Sequence, residues 1–202
     1  EVLALLKQAG QTSIPGGGAE VLSERTRRRI EPKKGGPAAW LDVHREAHRQ
    51  GFRSTATMMY GHVEQPEDIL DHLDSIRALQ DEHGGFTAFV PWSFKPGNTL
   101  LEKWIKQYKG PNAYLRMLAV SRLYLDNFPH VQASWFSEGK RAGQVALSWG
   151  ADDFGGTLFE ENVHAAADFV NKTTVDEIIT LIQDAGFTPA QRTTDYEIIR
   201  TY

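Results

Sequence analysis

The 202-residue chain contains no cysteine. That absence excludes disulfides, thiolate-bound zinc and thiol nucleophiles. Long apolar runs are also missing, and none approaches the roughly 18–20 residues that a membrane-spanning helix needs. The N-terminus has neither the basic region nor the small-residue cleavage site of a signal peptide, so a cytoplasmic protein without a membrane segment is expected. Concentrated positive charge is lacking too. The chain carries 22 basic and 26 acidic residues, and its one basic cluster (Arg25, Arg27, Arg28, Arg29, then Lys33 and Lys34) reads as a solvated helix face. No nucleic-acid surface is expected. What is present is 41% hydrophobic residues, enough for one substantial core, and a single domain over residues 1–202 is expected.

Short apolar runs alternate with helical patterns. Strands are expected at residues 12–15, 53–60, 87–92 and 131–136, with a short strand end at 152–157. Helices are expected at 1–9, 19–30, 37–50, 66–83, 113–128, 139–149, 160–169 and 175–185, with a tail at 191–202 that is part strand, part helix. About five strand–helix alternations imply an α/β fold with a parallel sheet. Apolar rather than alternating strands suit a sheet buried on both faces. A doubly wound sheet and a barrel both fit, and the barrel is favoured. The first strand–glycine–helix junction fails the dinucleotide fingerprint, because Gly16 and Gly18 are not followed by a third glycine. No Gly-Lys-Ser/Thr follows, which excludes a P-loop.

In parallel α/β barrels the chemistry sits at the C-terminal ends of the strands. The residues there are Gly16 to Gly18 with Glu20, the run from Tyr60 through Gly61, His62 and Glu64, then Trp92, then Ser134 and Trp135, then Asp153 and the glycines after it. Glu20 suits a helix first turn as well as a ligand contact. The glycines suit a flexible turn as well as close ligand approach. His62 reads as a surface histidine or a site residue, and Trp92 and Trp135 as core lids or as flat walls for a nucleoside-like ligand. His44 and His48 have the i, i+4 spacing of a helical zinc site but lack the glutamate directly after the first histidine and lie away from the strand ends, so no metal is expected there. Asp152 and Asp153 with Glu160 and Glu161 resemble paired glycosidase acids. Consecutive strand residues point to opposite faces, so at most one aspartate is expected to face a pocket.

Several segments carry a family resemblance: residues 14–20 (IPGGGAE), 55–64 (TATMMYGHVE), 84–92 (GGFTAFVPW), Asn98 with Thr99, and 185–192 (AGFTPAQR). The chain resembles the radical-SAM menaquinone-biosynthesis family, the subgroup of cyclic dehypoxanthine futalosine, aminofutalosine and deazaflavin-precursor synthases. Residues 91–94, 132–135 and 153–157 are most similar to the first of these. The resemblance implies the C-terminal part of a TIM-type (β/α) barrel, about five strand–helix units plus a C-terminal helix. It implies an enzyme in which a [4Fe–4S] cluster cleaves S-adenosylmethionine to a radical that cyclises dehypoxanthine futalosine. The resemblance places S-adenosylmethionine against Gly16, Gly17, Gly18, Glu20, Thr57, Met59, Gly61 and Glu64, with Thr57 where many relatives carry glycine. It places the nucleoside-like substrate against His62, Trp92, Ser134 and Asp153.

The family's Cys-x-x-x-Cys-x-x-Cys loop is absent, and the resemblance matches the opening helix to the one before the fourth strand. Three strand–helix units are therefore expected to be missing, no cluster is expected in this chain, and the chain alone is expected to be inactive. Open sheet edges lead to the expectation of a homodimer. Three other readings remain: an aminofutalosine synthase, a cluster-free barrel hydrolase or isomerase using Glu20 or Glu64 with His62, and a non-catalytic half-barrel module.

Overall fold

The computed structural model describes residues 1–105, 108–158 and 162–202. Strands β1 (Ser13–Ile14), β2 (Arg53–Tyr60), β3 (Phe86–Ser93) and β4 (His130–Val131) form one sheet, in that spatial order and all parallel. Around it run α1 (Val2–Gln8), α2 (Glu24–Ile30), α3 (Pro37–Arg49), α4 (Pro66–His83), α5 (Pro111–Tyr124), α6 (Trp135–Glu138), α7 (Lys140–Ala146), α8 (Asn162–Ala165) and α9 (Val175–Asp184). An antiparallel pair, β5 (Ala190–Arg192) and β6 (Ile198–Thr201), closes the chain.

Spatial order follows chain order without reversal. Parallel crossovers are right-handed, so a monotone order sends every crossover helix to the same face of the sheet. A doubly wound sheet needs a switch point, and there is none among the described strands. The closed face is the core. Ala56, Met58 and Tyr60 of β2, Phe89 of β3 and Val131 of β4 join Leu73, Ile76 and Leu79 of α4 and Tyr114, Leu115 and Leu118 of α5 in one buried cluster. Each such large side chain contributes about 1.5–3 kcal/mol on full burial. The other face of β2 presents Thr55, Thr57 and Met59, all half-buried, paired across to Ala88, Val90 and Trp92. Burial on β2 therefore alternates, which corrects the expectation of a sheet buried on both faces for that strand, whereas on β3 the consecutive residues Ala88 to Pro91 are all buried, as expected.

Helix α4 shows why some boundaries are sharp. Pro66 occupies the first turn, where its missing N–H costs nothing. Gln65 and Asp68 form a capping box, and Gly84 stops the helix at φ +62°. Elsewhere the structure departs from the sequence pattern. The helix expected at 19–30 begins only at Glu24, because Glu20 adopts φ +49° and the chain up to Ser23 runs as an irregular turn. The strand expected at 131–136 ends at Val131, and Trp135 already lies in α6. Gly139, at φ +89°, separates α6 from α7, and the helix expected at 139–149 finishes in a 3-10 turn at Leu147–Trp149. The fifth strand is reduced to one parallel bridge, Gln132 to Asp153. The tail forms the β5–β6 pair with no helix. Of the helix expected at 160–169, Asn162–Ala165 is helical, and Glu160 and Glu161 lie outside the described residues.

Asp68 ties α4 to the turn that follows β1. It accepts from Ser23 Oγ at 2.5 Å, from the Gln65 amide at 2.6 Å and from the Arg25 guanidinium. Burial alone would raise its pKa, but those bonds outweigh it and hold the carboxyl below its usual range. A depressed pKa contributes stability above the unfolded value near 3.9 that is lost as the pH falls through the folded value. Asp68→Asn is expected to cost about 2 kcal/mol in a urea melt at pH 7, with the difference from wild type shrinking below pH 4.

Candidate functional site

The first strand end is a glycine turn held from five directions. Gly16 donates its N–H to Thr55 Oγ1 at 3.0 Å and accepts from Thr57 Oγ1 at 2.8 Å. A Cβ on Gly16 would lie 2.0 Å from the Thr55 carbonyl oxygen, so only glycine lets the two backbones approach. Trp40 Nε1 donates to Gly17 O at 3.2 Å, and Arg27 Nη1 to Gly18 O at 3.0 Å and Ala19 O at 2.7 Å. The Met59 amide donates to Glu20 O at 2.9 Å. Five consecutive carbonyls are thus satisfied by distant parts of the chain, and the turn is a fixed element rather than a flexible connection. The Glu20 side chain is 16% exposed, with Lys34 Nζ 3.3 Å away.

The second strand end inverts this arrangement. Glu64 accepts the Gly61 amide at 2.6 Å and the His62 amide at 2.8 Å, closing a tight turn around Gly61, which sits at φ +90°. The His62 ring is fully enclosed. Its Nε2 lies 2.8 Å from Met59 O, so Nε2 carries the proton, while Nδ1 accepts from the Val63 amide at 2.8 Å. With the Nδ1 lone pair taken, its 3.2 Å approach to Glu64 is proximity within one turn rather than a hydrogen bond. The polar atoms of His62 and Glu64 are committed to the main chain.

At the third strand end Trp92 sits in register with Met59. Its ring lies 5.1 Å from His164, which also meets Phe136 at 5.4 Å. Beside it is a polar group that the sequence pattern did not single out. Glu138, with a side chain 2% exposed, accepts the Ser93 amide and hydroxyl, both at 2.7 Å. Lys95 Nζ contacts Ser93 Oγ at 2.7 Å and Glu138 at 3.3 Å, and lies 4.8 Å from the Phe169 ring centre. Burial pulls the Lys95 pKa down, against the attraction of Glu138. Its position one residue past the Pro-Trp-Ser-Phe run was the available signal. Glu138, distant in sequence, gave none.

Ser134 is fully buried, donating to Pro91 O at 2.6 Å, and its amide donates to Tyr114 Oη at 2.8 Å. Asp153, the bridge residue that stands for the fifth strand, is a hub. It accepts from Gln132 at 2.9 Å, Tyr196 Oη at 2.7 Å, Arg192 Nη2 at 2.5 Å and the Gly155 amide at 2.9 Å. Burial pushes its pKa up, but Arg192 more than compensates and the carboxyl stays below the usual range. Arg192 also lies over the Tyr196 ring at 3.8 Å, and His130 stacks on that ring at 3.8 Å. Asp152 meets His130 Nδ1 at 2.7 Å. Both aspartates line a cavity of about 590 Å³ that opens between α9 and the β5–β6 pair. The expectation that only one would face a pocket is corrected, because a single bridge residue does not impose strand alternation.

His44 and His48 share Ser54 Oγ, at 3.1 and 2.8 Å. Burial pushes both down to about 4, His44 further by His48, and His48 by His83 and Arg53. Among the described residues no group of three His, Asp or Glu side chains is arranged to hold a metal. None of their helices is long and apolar enough to cross a membrane.

Residues 1–76 match the radical SAM superfamily, and residues 83–202 match the family described as CofH/MqnC C-terminal region. The chain is 45% identical over its full length to a cyclic dehypoxanthine futalosine synthase of Halalkalibacterium halodurans, covering 54% of that protein. It is 44% identical to an aminodeoxyfutalosine synthase of Thermus thermophilus, covering all of this chain and 55% of that one. It is 42% identical to a 5-amino-6-(D-ribitylamino)uracil–L-tyrosine 4-hydroxyphenyl transferase of Methanopyrus kandleri, again over the whole chain and 56% of the relative. The chain spans about half the length of the curated relatives it matches.

Asp153→Asn would remove the carboxylate that Arg192 bridges. A loss of about 3 kcal/mol is expected, with hydrogen exchange rising over residues 190–201 while β2 and β3 stay protected. Because the folded pKa is depressed, the same loosening is expected in wild type as the pH falls below about 4.

Proposed function

Because the chain belongs to the CofH/MqnC family, we propose that it supplies the adenosine-binding and substrate-facing part of a radical-SAM enzyme. In this reading the intact enzyme cyclises dehypoxanthine futalosine in the futalosine route to menaquinone, in the cytoplasm. Residues 1–202 are one domain, an incomplete (β/α) barrel whose open face would be its interior. The monotone parallel order and one-sided helix layer support that reading. The observation that carries it is the rigid glycine turn beside the end of β2, which leaves the Glu20 carboxylate partly open with Lys34 as its partner among the described residues.

A carboxylate on a preorganised turn is a good acceptor for a vicinal diol, and Glu20 would take the ribose hydroxyls of S-adenosylmethionine. Gly16 to Gly18 would set the turn against β2, and Thr57 and Met59 would line the adenine. Gly61 and Glu64 would shape the neighbouring turn, since both Glu64 oxygens already hold amides. In intact relatives S-adenosylmethionine supplies hydrogen-abstraction chemistry. Trp92, the half-buried aromatic in register with Met59, would be the flat wall for the substrate. His62, Ser134 and Asp153 would hold the turns around it. A wall of this kind keeps water from a reactive intermediate.

A [4Fe–4S] cluster does not fit the residues present. The cluster needs thiolates and this chain has none. The aminodeoxyfutalosine synthase reading stands next, since identity to that relative differs by one percentage point. The proposal also includes a homodimer through the open edges of the barrel.

Three measurements test these readings. Calorimetric titration with S-adenosylmethionine is expected to show binding that Glu20→Gln weakens at least tenfold, whereas a hydrolase would take up none. Anaerobic reconstitution with iron and sulfide is expected to leave the protein without a stoichiometric cluster spectrum, and such a spectrum would overturn that expectation. A monomer by light scattering at micromolar concentration would remove the dimer.

A further inference from the structure

Two of the five carbonyls that hold the glycine turn are taken by one side chain. Arg27, on α2, is only 4% exposed. Its Nη1 reaches Gly18 O and Ala19 O, and its Nε and Nη2 reach Gly35 O at 3.1 and 3.0 Å. All its hydrogen bonds among the described residues go to main-chain carbonyls, and none to a carboxylate. Burial accordingly lowers its pKa, opposed by the charges of Glu20, Glu24 and Glu31. A buried cation with no ion-pair partner is an expensive way to close a turn, and smaller apolar residues do so at lower cost. What the guanidinium adds is geometry. Its planar fork bonds two segments at once, which the single nitrogen of lysine does not reproduce.

The two segments are significant by their neighbours. Ala19 precedes Glu20, and Gly35 follows Lys34, and Glu20 and Lys34 are the ion pair at the mouth. Arg27 therefore grips the backbone on both sides of that pair. We propose that Arg27 is a positioning residue for Glu20. It fixes the left-handed Glu20 backbone and the Lys34 loop together, so that the carboxylate is held ready for a ligand diol and Lys34 serves as its displaceable partner. The ligand part of this inference rests on the reading given under Proposed function. The clamp itself rests on the hydrogen bonds alone.

The test is a double-mutant cycle read by calorimetry with S-adenosylmethionine, using the full chain. Arg27→Ala is expected to weaken binding at least tenfold and to recover part of that loss in low, non-denaturing guanidinium. If Arg27 acts through Glu20, the Arg27→Ala/Glu20→Gln protein binds as Glu20→Gln alone does. Losses that multiply, or an unchanged affinity in Arg27→Ala, would overturn the proposal. Should Arg27→Ala not fold, Arg27→Lys carries the same cycle, with an expected loss of at least fivefold.

If wild type binds no S-adenosylmethionine, the ligand reading has failed by itself, and hydrogen exchange decides the clamp. Exchange in Arg27→Ala is then expected to rise at least tenfold over residues 17–20 and 34–36, with β2 and β3 unchanged and guanidinium reversing the effect. A uniform rise, or none, would show that Arg27 does not position the turn.

Discussion

The ladder between β2 and β3 is the constraint on which the rest of the molecule hangs. Its register runs from Ser54 opposite Phe86 to Tyr60 opposite Ser93, with one irregularity after Ser54. A parallel pair can be closed only through a crossover, so α4 must lie across it. The same register brings the turn after β2 and the segment after β3 out at one end, where the Phe94 amide extends the ladder to Tyr60 O at 2.7 Å. β1 pairs with Arg53 and Ser54, and Gly16 just beyond it bonds Thr55 and Thr57; β4 pairs with Ala88 and Phe89, and the Gln132 amide just beyond it reaches Phe89 O at 2.9 Å. Moving that register by one residue would turn Met58 and Tyr60 out of the core and Thr57 and Met59 into it.

The two turns at this end are stabilised by opposite means. The glycine turn has its carbonyls capped by side-chain and amide donors, among them Arg27, Trp40 and Thr57. The turn at Gly61 has its amides capped by the acceptor Glu64. One arrangement gathers donors inward and leaves an acidic side chain partly open. The other uses its acid internally. Two glutamates that follow adjacent strands are therefore not equivalent, and the difference lies in which backbone groups each turn leaves unpaired.

How much of this could be read in the sequence varied with the range of the interactions. Helix α4 was legible in full, because Ile69, Leu70, Leu73, Ile76 and Leu79 recur at helical spacing within one continuous stretch. β2 and β3 were legible from their apolar runs. β4 was not, since only two residues pair and the stretch after them turns into α6. The family segments led to the strand ends, and Glu20, Met59 and Trp92 do come out at one end of the sheet. Residue type alone did not reveal that the polar atoms of His62, Ser134 and Asp153 are bound to neighbours, several of them far along the chain, such as Arg192 for Asp153. Lys95 with Glu138 and Arg27 with Gly35 were missed for a related reason. Their meaning lies in burial and pairing, and neither has a sequence period.

The sheet tapers. Seven register pairs join β2 to β3, two join each outer strand, and a single bridge joins Gln132 to Asp153. Mechanical stiffness in a sheet follows the number of ladder bonds resisting shear, so compliance should increase from the middle towards both rims. Met59 and Trp92 lie in the stiff centre, whereas the glycine turn borders one compliant rim and Asp153 forms the other. Each rim is braced by an arginine, Arg27 on one side and Arg192 on the other. The guanidinium groups act as struts where the backbone ladder has run out.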